Sequence, residues 1–296
     1  MAHFSRRDFL RTTAIAAGAV AAGPQAFAAK RSATDWVELG NTGVKVTRLA
    51  FGTGTFAGKI QRGLGQAEFT RLVRYAYDRG IRFYESADSY GEMHEMLAEA
   101  LKGIPRDTYR LMTKLRARGT ETPQQTIDRF RKEMNSEYFD IVLIHCVRTP
   151  DWPETFKPLR DGLSEIKEKK TILSHGASCH GLLPLRAFAA NTNWLDVALL
   201  RVNHDGTKMD SLKMTDTDDK GDVPEVVSHI SKIRQGGTGI LGMKLIGEGA
   251  FKTPEQRDAS IRFVMKLGTV DSVTIGYKST QEIDEAIERI NTHLNS

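Results

Sequence analysis

Short apolar runs alternate with longer amphipathic stretches along most of this chain. The apolar runs lack a regular polar alternation, as expected of strands that are buried on both faces of a parallel sheet. The amphipathic stretches repeat their apolar positions with the period of about 3.6 residues that is typical of helices. The predicted strands are Leu49–Phe51, Phe83–Glu85, Arg110–Thr113, Ile141–His145, Leu173–Ala177, Val197–Leu200, Gly239–Met243 and Val273–Ile275. The predicted helices are Ala67–Asp78, Glu92–Leu101, Pro123–Met134, Pro158–Glu168, Leu182–Ala190, Pro224–Arg234, Pro254–Leu267 and Thr280–Asn291.

This strict alternation of strand and helix predicts the α/β class and a (β/α)8 TIM barrel. An open doubly wound sheet is the second choice, but Gly63–Gly65 is only a fragment of the G-x-G-x-x-G motif that such folds use for dinucleotides. Ahead of the first strand, Trp36–Val46 has two alternating runs around a turn rich in Gly and Asn, which predicts an N-terminal β-hairpin.

The longest predicted loop covers Asn203–Asp222 and follows the sixth strand. Long loops at the carboxyl ends of barrel strands usually build the active site. Helix starts are marked by Thr122-Pro123 and Thr253-Pro254, where a capping hydroxyl precedes a proline at the first helical position. The position of the long loop places the predicted functional site at the carboxyl end of the barrel.

The N-terminus carries the features of an export signal. Ser5–Leu10 has the S-R-R-x-F-L form of a twin-arginine motif, an apolar Ala-rich stretch covers Thr12–Gly23, and Ala26–Ala28 supplies a small-x-small cleavage motif before Ala29. We expect residues 1–29 to be a signal peptide read by the twin-arginine export machinery, and residues 30–296 to be the mature barrel in the periplasm. A basic N-terminal helix of the mature fold is the alternative. The apolar stretch is too short for a stable membrane anchor.

Composition and charge argue against a nucleic-acid-binding protein and against a disulfide scaffold. Hydrophobic residues make up 40% and charged residues 27% of the 296 positions, which is ordinary for a globular protein. The formal net charge is +5, but the basic residues are scattered, so we predict no nucleic-acid partner. The two cysteines, Cys146 and Cys179, are too few for a disulfide scaffold.

Four chemically active residues lie where predicted strands end. Glu85 ends the second strand, Lys114 follows the third, His145 ends the fourth, and Tyr90 lies just past the second. Because the carboxyl ends of parallel barrel strands converge on one face, residues far apart in sequence can meet there. The sequence therefore predicts one site built from these four side chains.

Their chemistry suits the reduction of a carbonyl group. A phenol such as Tyr90 can donate a proton to the developing alkoxide, and a nearby ammonium is expected to lower its pKa from about 10. A buried Lys114 needs a carboxylate partner to keep its charge, which Glu85 can provide. A neutral imidazole at His145 can orient the carbonyl oxygen.

The same residues lie in segments that resemble the aldo-keto reductases. Phe83–Gly91 is similar to that family's F-x-D-T-A-x-x-Y-G stretch, Thr113-Lys114 matches its T-K, and Asp140–His145 matches its D-x-x-L-x-H. Gly176–Ser178 resembles its G-V-S-N, and the similarity runs from about Val37 to Ile290. The resemblance implies a reductase that acts on an aldehyde or ketone, a small-molecule carbonyl substrate, with hydride from NADP(H) or NAD(H).

The resemblance also implies which residues contact that cofactor. Ser178 corresponds to a residue that touches the nicotinamide carboxamide, and the segment around Gly276 looks like the family's phosphate-binding segment. The remaining expected contacts lie at the first-strand loop, at the long loop and at the ends of the seventh and eighth strands. The expected cofactor residues are Gly52, Thr53, Ser178, Asn203, Met243, Lys244, Gly276 and Lys278.

Several positions depart from the family pattern. Glu85 replaces an Asp, Cys179 an Asn and Leu199 a Gln, and Met243 stands where an aromatic residue stacks under the nicotinamide. The choice between NADP and NAD stays open at this stage, because Lys278 favours a phosphate while Glu282 opposes it. The departures motivate the alternative of a non-catalytic exported barrel that binds or senses a small ligand.

Two further groupings have competing interpretations. His145, Cys146, His175, Cys179 and His180 lie at neighbouring strand ends, but no C-x-x-C or H-x-x-x-H spacing occurs among them, so we predict no metal site. A disulfide between the two cysteines is a further alternative. The turn at 247–249 is compatible with a backbone cradle for a pyrophosphate or with a plain loop.

Overall fold

The computed structural model describes residues 30–116, 120–213 and 220–296. Two short strands, β1 (Trp36–Glu38) and β2 (Lys45–Thr47), pair antiparallel, with Val37 opposite Val46. Gly40 and Gly43 lie between them at positive φ, a conformation that glycine adopts without strain. The predicted N-terminal hairpin is confirmed.

Within these ranges, eight parallel strands close into a barrel in the order β10-β3-β4-β5-β6-β7-β8-β9. The predicted TIM barrel is therefore confirmed, and the open doubly wound sheet is excluded. Six of the strands are longer than predicted. The two that differ most, Phe139–Val147 and Ile172–Cys179, pair with each other beyond a register shift between Ile144 and Val147. The barrel strands are β3 (Leu49–Gly52), β4 (Phe83–Glu85), β5 (Arg110–Leu115), β6 (Phe139–Val147), β7 (Ile172–Cys179), β8 (Val197–Arg201), β9 (Gly239–Met243) and β10 (Ser272–Gly276).

The predicted helices lie between these strands, and two single-turn helices, Lys59–Arg62 and Trp152–Thr155, were not predicted. Thr122 and Thr253 each accept a hydrogen bond from the backbone of the third helical residue, and both form capping boxes. The helices are α1 (Lys59–Arg62), α2 (Gly65–Asp78), α3 (Met93–Leu101), α4 (Pro123–Glu133), α5 (Trp152–Thr155), α6 (Lys157–Glu168), α7 (Leu182–Ala190), α8 (Val223–Gln235), α9 (Pro254–Lys266) and α10 (Thr280–Leu294). Short 3₁₀ turns cover Asp88–Tyr90, Arg106–Thr108 and Gly247–Gly249.

The hairpin closes the amino-terminal end of the barrel. Leu39, Val44 and Val46 are buried in the same apolar cluster as inward-facing residues such as Leu143. A Cβ on Gly239, at the start of β9, would lie only 2.7 Å from the Leu39 Cβ. Glycine is thus required for this close contact. With this end filled by apolar side chains, the opposite end is where polar groups can meet a ligand.

Two predicted segments, the signal peptide and the long loop, lie wholly or partly outside the described residues. Residues 1–29, the predicted signal peptide, lie outside the described residues, so their function stays a prediction. In the long loop, residues 203–213 and 220–222 form turns and irregular backbone, without helix or strand. Among the described residues, no helix is both long and apolar enough to cross a membrane.

Candidate active site

The structure brings the four predicted catalytic residues together at the carboxyl end of the barrel. Glu85 ends β4, Lys114 lies on β5, His145 lies on β6, and Tyr90 ends the 3₁₀ turn that follows β4. All four are buried, with Lys114 only 1% exposed. The convergence of parallel strand ends, used to predict this site, accounts for their meeting.

Lys114 is held by three oxygen acceptors. Its Nζ forms an ion pair with Glu85 Oε1 and donates a hydrogen bond to the Ser86 carbonyl oxygen at 2.8 Å. The same nitrogen lies 3.2 Å from the Tyr90 hydroxyl oxygen, which lies 3.5 Å from Glu85 Oε1. The longer side chain of Glu85, compared with aspartate, therefore still reaches the ammonium. Phenol, ammonium and carboxylate form one contiguous group.

The pKa of Tyr90 differs from the sequence-based expectation. Burial raises the pKa of Tyr90 well above its usual value of 10.0, and the negative charge of Glu85 raises it further. The expected lowering by Lys114 was wrong, because burial disfavours the phenolate and the carboxylate of Glu85 offsets the positive charge of the ammonium. Tyr90 therefore retains its proton at neutral pH.

The two basic residues of the site respond to burial in the same direction. Burial lowers the pKa of Lys114, whereas the charge of Glu85 opposes that change. Burial lowers the pKa of His145 well below 6.5, and the charge of Lys114 adds to the effect. The imidazole is therefore neutral, as expected. Its Nδ1 lies 3.1 Å from the Ser89 hydroxyl oxygen, and its ring meets the Tyr90 ring edge-on with centroids 5.7 Å apart.

Two glycines that were not predicted as site residues make room for Tyr90. A Cβ on Gly54 would lie 2.5 Å from the Tyr90 hydroxyl oxygen, and one on Gly58 would lie 3.0 Å from the Tyr90 Cβ. Gly58 also has a φ of +82°. Such steric requirements are hard to predict from the sequence, where they appear only as small residues after the first strand.

Glu85 is positioned by two threonines. The Thr53 hydroxyl donates to the Glu85 carbonyl oxygen at 2.9 Å, and the Thr274 hydroxyl lies 3.4 Å from Glu85 Oε2. Thr53 was expected to contact cofactor, whereas the structure gives it this internal partner. Thr274 was not predicted as a site residue, although a hydroxyl between the apolar Val273 and Ile275 could have signalled it.

Two predicted cofactor contacts have internal hydrogen-bond partners. The Ser178 hydroxyl oxygen accepts a hydrogen bond from the Cys146 backbone N–H at 2.7 Å. Asn203 donates to the carbonyl oxygens of Thr207, at 2.7 Å, and Lys244, at 3.2 Å, and its side-chain oxygen accepts from Gly206 N–H. The bond from Asn203 to Lys244 links the segments that follow β8 and β9. Cofactor contact by either side chain stays a prediction.

Met243 and Lys244, two more predicted contacts, lie at the end of β9. Met243 is buried at the mouth of the barrel, and Lys244 Nζ pairs with Glu248 Oε1 at 2.6 Å. The backbone N–H groups of Gly247 and Gly249 donate within their own turn, which favours a plain loop over a pyrophosphate cradle. Glu248 is nonetheless close enough to raise the Tyr90 pKa, so this loop borders the same site.

The remaining predicted contacts lie where β3 meets β10. A Cβ on Gly52 would lie 2.6 Å from the Thr274 hydroxyl oxygen, and one on Gly276 would lie 2.5 Å from the Thr55 hydroxyl oxygen. Both glycines thus permit close packing of neighbouring segments. Lys278 follows β10 at the surface.

The histidine and cysteine grouping is dispersed. His175 stacks on Trp194 with ring centroids 4.3 Å apart, and His180 hydrogen-bonds the Arg201 side chain. Cys146 and Cys179 are free thiols, and burial raises the pKa of Cys179 well above its usual value. Over residues 30–116, 120–213 and 220–296, no group of three or more His, Cys, Asp or Glu side chains could hold a metal ion.

Curated proteins with similar sequences are named as a reductase and a dehydrogenase. Among curated proteins, the chain is 28% identical over 145 residues to the Glycine max protein named "Probable aldo-keto reductase 1", and 26% identical over 141 residues to L-galactose dehydrogenase of Arabidopsis thaliana. The matched regions cover 45% and 44% of this chain. They span less than half of those relatives, 40% and 44% of their lengths.

Solved structures show the same fold over a larger share of the chain. An aldo-keto reductase from Pseudomonas aeruginosa, so described in its title, superposes with a TM-score of 0.69 at 20% identity, covering 90% of this chain and 98% of that one. An aldo-keto reductase from Bacillus halodurans, in its holo form, gives 0.68 at 15% identity, covering 88% and 95%.

The sequence model of the family described as "Aldo/keto reductase family" matches residues 48–296, which include all eight barrel strands, β3 to β10. The chain therefore belongs to the aldo/keto reductase family, a family of oxidoreductases.

Proposed function

We propose that this protein reduces an aldehyde or ketone to an alcohol, with hydride from NADH or NADPH and a proton from Tyr90. The observation that carries the proposal is the 3.2 Å contact between Lys114 Nζ and the Tyr90 hydroxyl oxygen, with Glu85 paired to the same ammonium. These groups lie at the carboxyl end of a TIM barrel, where the active sites of such enzymes are found.

The residues around this mouth fit a nicotinamide dinucleotide. Two lysines, Lys244 and Lys278, follow β9 and β10 and suit a negatively charged pyrophosphate. Gly249 has a φ of +90° and no atom within 4 Å of a Cβ built on it, so the turn beside Lys244 leaves open space. When bound, the cofactor would supply the hydride.

Tyr90 acts as the acid in this scheme. Its raised pKa keeps the phenol protonated, so the proton is available for transfer to the reduced carbonyl oxygen. The phenolate left behind lies beside the Lys114 ammonium, whose charge stabilises it. Glu85 keeps Lys114 charged, and the ring N–H of the neutral His145 donates a hydrogen bond to the carbonyl oxygen.

The alternative of a non-catalytic binding barrel is favoured by one observation. The side chains of Ser178 and Asn203, expected to hold the nicotinamide, already have protein partners. Titration with NADH and NADPH separates the two functions, because the reductase requires nucleotide binding at micromolar concentrations. Absence of binding up to millimolar nucleotide would favour the alternative.

Replacing Tyr90 by phenylalanine tests the proton donor. We expect Tyr90→Phe to lower kcat for an aldehyde substrate by about 10²–10⁴-fold, since general acid catalysis is lost, while nucleotide affinity stays unchanged. Steady-state kinetics and nucleotide titration measure the two effects. Tyr138→Phe is the control, because Tyr138 precedes β6 at the opposite end of the barrel. Equal kcat in wild type and Tyr90→Phe would rule out the mechanism.

The pKa of His145 predicts how stability depends on pH. Its folded-state pKa lies well below its ordinary value of 6.5, so below about pH 6.5 the unfolded chain binds a proton that the folded protein does not. The free energy of unfolding should therefore fall, by up to about 1.4 kcal/mol per pH unit from this residue. Urea unfolding between pH 5 and pH 7 measures it. The decline should be shallower in His145→Gln, and identical slopes would show that the imidazole is not buried in its neutral form.

We also propose that residues 1–29 direct export to the periplasm by the twin-arginine route. The support is the sequence of that segment, which combines Arg6-Arg7, an apolar stretch and a cleavage motif. Expressed in a bacterium with this export machinery, the full chain should yield a shortened periplasmic protein. Changing both arginines to lysine should retain it in the cytoplasm. Equal periplasmic yield from the two chains would refute the proposal.

A further inference from the structure

One side-chain hydroxyl meets the ring of His145. Ser89, the residue before Tyr90 in the 3₁₀ turn after β4, lies with its oxygen 3.1 Å from His145 Nδ1. Within residues 30–116, 120–213 and 220–296, the Ser89 side chain makes no other hydrogen bond. Position 89 is one of the variable positions in the F-x-D-T-A-x-x-Y-G stretch, so this contact belongs to the chain rather than to the family pattern.

The turn that carries Ser89 is anchored on both sides of this residue. Before it, Asp88 is held by Arg129 on α4, whose two terminal nitrogens lie 2.9 and 3.4 Å from the two carboxylate oxygens. After it, the Tyr90 hydroxyl oxygen lies 3.2 Å from Lys114 Nζ. A two-point contact between a guanidinium and a carboxylate fixes orientation as well as distance. The Ser89 hydroxyl is therefore held in place beside the imidazole.

The imidazole of His145 is neutral, so only one of its two ring nitrogens carries a hydrogen. Burial lowers its pKa, and the positive charges of Lys114 and Arg116 add to the effect. In a neutral imidazole, one nitrogen donates a hydrogen bond and the other accepts one. Which nitrogen carries the hydrogen is set by the bond that the other nitrogen makes. The contact at Nδ1 therefore determines what Nε2 can do.

Ser89 can pair with Nδ1 in two ways. The hydroxyl can donate to an unprotonated Nδ1, which places the ring hydrogen on Nε2, or it can accept from a protonated Nδ1. The second arrangement leaves the hydroxyl hydrogen without an acceptor among the described residues. The first arrangement gives both groups a partner, and an unmade hydrogen bond costs free energy. The contact thus favours the hydrogen on Nε2.

The second ring nitrogen is the one available to a substrate. Nε2 of His145 makes no hydrogen bond to any residue in the described ranges, and the His145 ring lies beside that of Tyr90, with centroids 5.7 Å apart. A carbonyl oxygen that gains negative charge is stabilised by a hydrogen-bond donor aimed at it. Building on the function proposed above, we infer that Ser89 is a positioning residue: it keeps the hydrogen of His145 on Nε2, where it can be donated to the carbonyl oxygen.

Nitrogen-15 NMR of histidine-labelled mature protein at pH 7.5 tests the inference without relying on turnover. Protonated and unprotonated ring nitrogens have well-separated chemical shifts, and comparison with His145→Gln assigns the signals. We expect wild-type His145 to carry its hydrogen on Nε2. Ser89→Ala removes the donor to Nδ1 and should lower the ratio of the Nε2–H to the Nδ1–H form by about 2–10-fold. Ser89→Thr keeps the hydroxyl and should restore the wild-type ratio.

Steady-state kinetics with a carbonyl substrate gives the second measurement. Ser89→Ala should lower kcat/KM by about 2–10-fold, with the dissociation constant for the nucleotide unchanged, and Ser89→Thr should recover the loss. The matched control is Ser164→Ala. Ser164 lies on α6, outside the strands of the barrel, with its oxygen 3.4 Å from Nε2 of another histidine, His175. This control should change neither the tautomer of His145 nor kcat/KM.

The outcomes separate this inference from the proposed function. A wild-type His145 with its hydrogen on Nδ1, or the same tautomer ratio in wild type and Ser89→Ala, overturns the role of Ser89 and leaves the reductase intact. A changed ratio with unchanged kcat/KM shows that the tautomer does not serve the reaction, which also overturns the inference. A wild type that has the hydrogen on Nε2 but reduces no carbonyl overturns the proposed function, while the assigned tautomer stands.

Discussion

The buried ion pair between Glu85 and Lys114 is the interaction on which the rest of the site depends. An ammonium as inaccessible as that of Lys114 loses its hydration, and only a close carboxylate can compensate for that loss. The register between β4 and β5 places the Glu85 carboxylate beside Lys114. Glu85 pairs with Met112 across β4 and β5, and Lys114 lies two residues further along β5, on the same face as Met112. Two charges from neighbouring strands thus enter the barrel mouth side by side.

This pair helps to explain why Tyr90 is protonated rather than a phenolate. The carboxylate that keeps Lys114 charged also lies 3.5 Å from the phenol, where it opposes loss of the proton. Glycine at positions 54 and 58 lets the ring approach both charges. In the proposed reaction, the electrostatic benefit of Lys114 is therefore greatest after proton transfer, when the negative charge moves onto the Tyr90 oxygen. Stabilisation that appears only as the reaction proceeds is what accelerates a reaction.

The fold could be predicted from the sequence because few folds are compatible with alternating apolar and amphipathic runs. Eight such repeats favour a closed barrel. The four site residues were accessible because parallel strand ends must converge. Contacts that depend on detailed side-chain geometry could not be predicted from the sequence. The internal hydrogen-bond partners of Ser178 and Asn203 are examples. The pKa of Tyr90 was mispredicted for a related reason, since a linear pattern cannot weigh burial against two opposite charges. The function of residues 1–29 still rests on sequence alone.

The charge state of Lys114 is the quantity that tests this account most directly. Nitrogen-15 NMR of the lysine side chains, assigned by comparison with Lys114→Met, reports whether Nζ carries its charge as the pH changes. We predict that Lys114 is charged at pH 7 with a pKa below 10.5, and that Glu85→Gln lowers this pKa further. A neutral Lys114 at pH 7 in the wild type, or the same titration curve in both proteins, would contradict the account.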